Sequence, residues 1–141
     1  EDFRERSTLK IGICRGAQFL NVMNGGKLLQ HCAGHGRSHK LVGLSHNKKV
    51  TSTHHQVMVR NPEKSVLLDY ADVPDFEILS EDKDLWDGYQ TEVVWYPETR
   101  SFCFQPHPEF SGAYPTTDAF VKHLSKALLR DMDTLLKAID F

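Results

Sequence analysis

Cysteine is scarce in this sequence: there are three in 141 residues. That number is odd and too small for a disulfide framework, so each thiol needs its own reason. Long hydrophobic runs are missing as well. No window approaches the ~18 apolar residues of a membrane span, and the opening Glu1-Asp2-Phe3-Arg4-Glu5-Arg6 lacks the apolar core of a signal peptide. Neither sign of charge is in real excess. Seventeen Lys+Arg stand against nineteen Asp+Glu, a net −2 that gives no field for nucleic acid or an anionic membrane. No internal repeat, low-complexity tract or Pro/Gly/Ser linker divides the chain. These absences predict one folding unit over residues 1–141 in a cytoplasmic protein, with no nucleic-acid or membrane partner. What is present, 40% hydrophobic and 26% charged residues, suits a globular domain.

The periodicities place elements. Leu9-Lys10-Ile11-Gly12-Ile13 is short and branched, as in a buried strand. From Arg15 to Asn24, Ala17, Phe19, Leu20, Val22 and Met23 recur among polar residues, and Gly25-Gly26 offers a left-handed cap, so a helix follows the strand after a sharp turn. Lys27 to Gln30 predicts a short strand, and His31 to Asn47, rich in Gly and His, an irregular loop. Val50–Val59, Ser65–Tyr70 and Phe76–Ser80 are further strand candidates. Thr91–Tyr96 and Ser101–Gln105 flank Pro97-Glu98-Thr99-Arg100 as a hairpin. From Asp118 to Ile139, Phe120, Leu124, Leu128, Leu135 and Ile139 fall at helical spacing, with Lys122, Lys126, Arg130, Asp131 and Asp133 as a solvated face. Strand-helix, then several strands, then a helix predicts a mixed α/β sheet between helices.

Gly12-Ile13-Cys14-Arg15-Gly16 fits G-x-nucleophile-x-G at a strand-to-helix junction. The nucleophile of such a motif sits on a tight turn that flanking side chains would obstruct, which explains the glycines. A helix N-terminus favours thiolate, and the Arg15 N–H is placed to receive an oxyanion. Taken alone, Cys14 fits equally well as a small buried residue beside an ordinary turn. Cys103, between Phe102 and Phe104, belongs to a core strand. Gln105-Pro106-His107-Pro108-Glu109 adds a base and an orienting carboxylate two residues apart on a rigid strand end. Two pieces with complementary roles make a Cys14, His107, Glu109 triad.

Other clusters invite other chemistry. His31, Cys32, His35 and His39 are one compact group where a structural zinc normally takes two, and adjacent His54 and His55 face opposite sides of a strand. The expectation is no metal. Trp86, Tyr89, Trp95 and Tyr96 read as core rather than as a binding surface.

Four blocks in order, Gly12 to Gln18, Asn21-Val22 with Gly25 to Gln30, Ser52-Thr53-His54-His55-Gln56, and His107-Pro108-Glu109-Phe110, closely resemble the class I glutamine amidotransferase family. The nearest branch is that of the γ-glutamyl hydrolases, including γ-glutamyl-γ-aminobutyrate hydrolase. The resemblance implies a three-layer, flavodoxin-like α/β sandwich around a mixed, mostly parallel sheet. It implies hydrolysis of a γ-glutamyl amide, glutamine included, through a Cys14 thioester, with His107 as base then acid, Glu109 holding the imidazole, and no cofactor. By the same resemblance Gly16, Gln18, Ser52 and His54 meet the glutamyl substrate, and the loop from His31 to His39 lies at the site's mouth. The family places strands and an oxyanion loop before the nucleophile strand, where only Glu1 to Thr8 stand here. The expectation is therefore the triad-bearing C-terminal portion of a larger domain, or a sheet completed by a second chain. The alternatives are a catalytically silent binding or regulatory relative and an ammonia-supplying partner of a synthetase.

Overall fold

A computed structural model describes residues 5, 8–36, 38–43, 49–109 and 114–138. Strand β1 (Lys10–Ile13) leads into helix α1 (Arg15–Met23), then β2 (Lys27–Leu29), β3 (Cys32–Ala33) and β4 (Val57–Val59). Strands β5 (Val66–Ala71) and β6 (Glu77–Ile78), a short 3₁₀ turn (Asp82–Leu85), the hairpin β7 (Gln90–Tyr96) and β8 (Ser101–Phe104), and helix α2 (Tyr114–Ala138) complete the order. The main sheet runs β1-β8-β7-β4-β2, with β5 also on β7; β3 and β6 form a separate ribbon.

The predicted elements recur with shifted limits. Helix α1 ends at Met23, with Asn24 as its cap. Gly25 there takes φ +90, and its N–H and that of Gly26 bond back to the carbonyls of Val22 and Asn21. This left-handed closure satisfies the last carbonyls of the helix. The strand expected from Val50 shrinks to three residues, because Val50 makes only an isolated bridge to His39.

The sheet is mixed, but the mostly parallel pattern does not hold among the described residues: β1–β8 is parallel and the other four pairings are antiparallel. Parallel neighbours need a long crossover, and the short turn at Pro97–Arg100 forces β7 and β8 antiparallel instead.

Alternation along β7 and β8 builds the layers. Val93, Trp95, Phe102 and Phe104 face Ala119, Ala127 and Phe120 of α2. Val94, Tyr96 and Cys103, one residue out of phase, face Ala17 and Leu20 of α1. Period-two strands thus present both faces to helices, so every residue of the hairpin strands is buried. Each large side chain so covered contributes about 1.5–3 kcal/mol. Trp95 and Tyr96 are core as expected, whereas Trp86 and Tyr89 are 36% and 42% exposed, since they lie on the connection before β7.

Helix α2 differs from its hydrophobic reading. Its deepest positions recur every four residues as Ala119, His123, Ala127 and Asp131. Phe120 and Leu124 pack beside them, while the side chains of Leu135 and Ile139 lie outside the described residues. Asp131 is not part of the solvated face: it is 4% exposed and pairs with Arg100 Nε at 3.1 Å. His123 Nε2 meets Asp69 Oδ2 at 2.8 Å, and Asp69 Oδ1 accepts the Gly43 and Tyr70 N–H groups. Small residues on α2 let the helix approach the sheet, and charges buried by that approach are paired.

Asn21, fully buried on α1, ties three strands together. Its amide donates to the carbonyls of Lys27 and Val59 at 3.0 and 3.1 Å, and its oxygen accepts the Tyr96 hydroxyl at 2.7 Å.

Candidate active site

The nucleophile candidate sits where β1 becomes α1. Cys14 takes φ 54 and ψ −110, a conformation that costs a non-glycine residue on the order of 1–3 kcal/mol. Two bonds hold it there: its N–H donates to Phe104 of β8 at 2.9 Å, and its carbonyl accepts the Gln18 N–H at 3.1 Å. The two motif glycines differ. A Cβ on Gly12 would stand 2.4 Å from the Gly16 carbonyl oxygen and 2.7 Å from the Ala17 nitrogen, whereas one on Gly16 would meet nothing within 4 Å. Gly12 lets the helix start against the strand; Gly16 leaves open space above the turn.

Two donors face the sulfur. The Gln105 side-chain amide lies 3.5 Å from Cys14 Sγ, and the Arg15 backbone N–H is directed at the same atom. Gln105 is itself buried, and its oxygen accepts the Gln18 amide at 3.1 Å. The expected thiolate preference is reversed. Burial pushes the Cys14 thiol up, and the negative charges of Glu109 and Glu92 add to this; the Arg15 N–H and Gln105 pull it down without offsetting the rise. The other two thiols are core: Cys32 and Cys103 are buried, and burial raises Cys32 to about 11.

His107 and Glu109 stand just past the end of β8, the strand beside β1. His107 Nδ1 lies 2.6 Å from Glu109 Oε1, so a proton on Nδ1 is donated to the carboxylate and Nε2 is left as the base. Slight burial would raise Glu109, but the hydrogen bond from His107 holds it below its ordinary value. The segment is pinned from behind. Thr51 Oγ1 donates to the His107 carbonyl at 2.6 Å, the Thr51 N–H donates to Thr116 Oγ1 of α2 at 2.8 Å, and Thr117 Oγ1 donates to the Pro108 carbonyl at 3.0 Å.

The remaining site residues divide. Gln18 lies at the nucleophile through Gln105, and with Arg15 it lines an open groove of about 390 Å³ bounded by Phe19, Val22, Leu28, Gln30 and Gln56. Ser52 and His54 are buried and do not line it. The Ser52 hydroxyl donates to the His35 carbonyl, and the His54 ring nitrogens face the Gln56 carbonyl and Glu92. The polar atoms of both are thus engaged within the fold in this structure. Sequence reasoning missed Gln105 and Thr51; the one signal was the position of Gln105 directly before Pro106-His107.

A half-buried cysteine on a strained strand-to-helix elbow, with a hydrogen-bonded His-Glu pair at the end of the adjacent parallel strand, defines a class I glutamine amidotransferase-like fold. The chain belongs to the peptidase C26 family, whose model matches residues 5–82, more than half of its length and including the elbow. Among solved structures it is similar to a protein described as a GMP synthase subunit from Thermoplasma acidophilum, with 17% identity and a TM-score of 0.59, over 88% of this chain and 60% of that one. A glutamine amidotransferase from Thermotoga maritima is matched at 17% identity and a TM-score of 0.47, over 92% of this chain and 50% of that one. The chain therefore spans 60% or less of the length of these relatives. No curated protein matches it significantly. Among the described residues no helix is long and apolar enough to cross a membrane.

Proposed function

We propose that this protein hydrolyses γ-glutamyl amide bonds, with Cys14 as nucleophile, His107 as base and acid, and Glu109 as the group that orients the imidazole. The strained Cys14 elbow, its sulfur faced by the Gln105 amide and the Arg15 N–H, carries the reading.

In the first half-reaction His107 Nε2 accepts the Cys14 proton as sulfur attacks the γ-carbonyl carbon. The carbonyl π electrons move to oxygen, and the oxyanion is met by the Arg15 N–H. The carbon–nitrogen bond then breaks. Its electrons stay on nitrogen, which leaves as ammonia or an amine with the proton from imidazolium. Water attacks the thioester with His107 again as base, and glutamate and the free thiol result. Because the resting thiol is held protonated, proton removal by His107 is coupled to attack rather than completed beforehand. Gln18 and Gly16, at the open space above the turn, border the glutamyl chain.

An ammonia-supplying role beside a synthetase is the second reading; the likeness to the Thermoplasma acidophilum protein described as part of a GMP synthase favours it. Trapping with a diazo-ketone analogue of glutamine tests the chemistry common to both. Mass spectrometry is expected to find one adduct, on the Cys14 peptide, absent from Cys14→Ser. No adduct in folded wild-type protein would reject the enzymatic assignment and leave a binding module.

A further inference from the structure

Three histidines and a carboxylate, none of them a member of the triad, converge inside the fold. His35 and His39 come from the loop between β3 and β4, His54 from the segment just before β4, and Glu92 from β7; all four are buried. His35 Nδ1, His39 Nε2 and His54 Nε2 lie 2.9, 2.6 and 3.2 Å from one atom, Glu92 Oε1. One ligand atom from each residue falls within 4.8 Å of every other.

The outward nitrogens decide what the inward ones can offer. His54 Nδ1 is 2.5 Å from the Gln56 carbonyl oxygen, an acceptor only, so this nitrogen carries a proton. His35 Nε2 is 2.7 Å from Gln90 Oε1, whose identity as oxygen is fixed because it also accepts the Val73 N–H while Gln90 Nε2 donates to the Val73 carbonyl. His35 Nε2 therefore carries a proton too. In the neutral rings the inward nitrogens, His35 Nδ1 and His54 Nε2, then present lone pairs, 3.3 Å apart and both aimed at a carboxylate oxygen. Three electron-rich atoms facing each other in a dry interior are stabilised by a cation between them. One added proton would ease this only by burying an imidazolium, and a second would set two N–H donors against each other at 3.3 Å. A metal ion turns every one of these lone pairs into a bond.

The dimensions are close to those of a metal site, with ligand atoms up to 4.8 Å apart that must draw together. Metal–nitrogen bonds of ~2.0–2.1 Å in a tetrahedron place ligand atoms about 3.3 Å apart. The His35–His54 separation already has this value, and the shorter gaps to Glu92 widen by turning its carboxylate, whose second oxygen is buried without a hydrogen-bond partner. Ring nitrogens held by a backbone carbonyl and by Gln90 are the outer support that metal-binding histidines use. Three imidazoles and a carboxylate select a first-row transition ion over Mg²⁺ or Ca²⁺.

We propose that His35, His39, His54 and Glu92 bind one Zn²⁺ ion in the interior. The ion ties the loop between β3 and β4 to β7, at the ladder position where the Glu92 carbonyl accepts the Gln105 N–H. The sequence hid this because spacing within the loop suggested only one compact group, while His54 and Glu92 arrive from 19 and 57 residues beyond His35.

Untagged protein, stripped with chelator and reloaded with Zn²⁺, is expected to retain one equivalent by elemental analysis after gel filtration. Co²⁺ in its place should give the intense visible bands of a four-coordinate site. His39→Gln and Glu92→Gln are expected to lose both signals. Cys14→Ser should keep them, which separates the ion from the triad chemistry. Gln90→Leu, which removes only the support of His35, is expected to weaken Zn²⁺ by about 10–100-fold and gives a reading if the ligand variants do not fold. Folded wild-type protein that retains no Zn²⁺, or undiminished retention by His39→Gln, Glu92→Gln or Gln90→Leu, would overturn the proposal.

Discussion

Gly12 and Gly16 flank Cys14 symmetrically in sequence, yet alanine should act in opposite directions at the two positions. At Gly12 the new Cβ would face backbone, 2.4 Å from the Gly16 oxygen, and that oxygen must retreat at least 0.6 Å to reach 3.0 Å, below which real contacts essentially do not occur. The first turn of α1 cannot swing aside like a side chain, so the overpacking cost falls at the upper end of its usual range, about 2–3 kcal/mol. For a chain of this size that lowers Tm by about 6–12 °C. At Gly16 the Cβ enters open space on a helical residue, and replacing glycine there stabilises by a few tenths to about 1 kcal/mol. Urea denaturation monitored by circular dichroism reads both changes. Gly12→Ala should also slow Cys14 trapping, since the displaced turn carries the nucleophile. Equal stability of Gly12→Ala and wild type, or a loss above about 1 kcal/mol in Gly16→Ala, would refute the reasoning.

Two further outcomes are expected. Burial raises the Cys14 thiol, so its thiolate is a minor species at pH 7 and grows as pH rises; iodoacetamide labelling should increase about tenfold per pH unit and stay slower than that of a free thiol at every pH below 8.5. A labelling plateau reached before pH 8 would contradict this. Asn21→Ala strands the buried Val59 carbonyl and takes one partner from the part-buried Lys27 carbonyl and from the Tyr96 hydroxyl, and should cost about 1–3 kcal/mol in a urea titration with an unchanged m-value.

The elements closest to the triad were the most legible in sequence. The elbow could be read because its demands are local: a glycine that no Cβ can replace, a short branched strand, and a helix beginning at once. The hairpin was equally plain, since its turn and its alternation both lie within sixteen residues. Contacts that span the chain escaped. Gln105 acts on Cys14 from 91 residues away, and no local pattern marks a glutamine for that task. Asp131 looked like a surface charge because helical spacing says which residues share a face, not that Arg100 waits opposite. The mostly parallel sheet came with the family resemblance, whereas the pairings described are set by short turns. Ser52 and His54 were placed at the substrate by the same route, and here their polar atoms bond to the His35 and Gln56 carbonyls and to Glu92.

The β1–β8 ladder also governs where the chain can change length. Cys14 is tied to the Phe104 carbonyl, and His107 follows three residues later along the same backbone. An added residue between Phe104 and His107 would carry the base away by ~3.3 Å, about the length of a hydrogen bond, and turn its side chain to the other face. The long stretch between α1 and β7 touches the nucleophile–base spacing only indirectly. Insertions and deletions accumulated by related sequences should therefore fall in that stretch, while the distance from Phe104 to His107 stays constant.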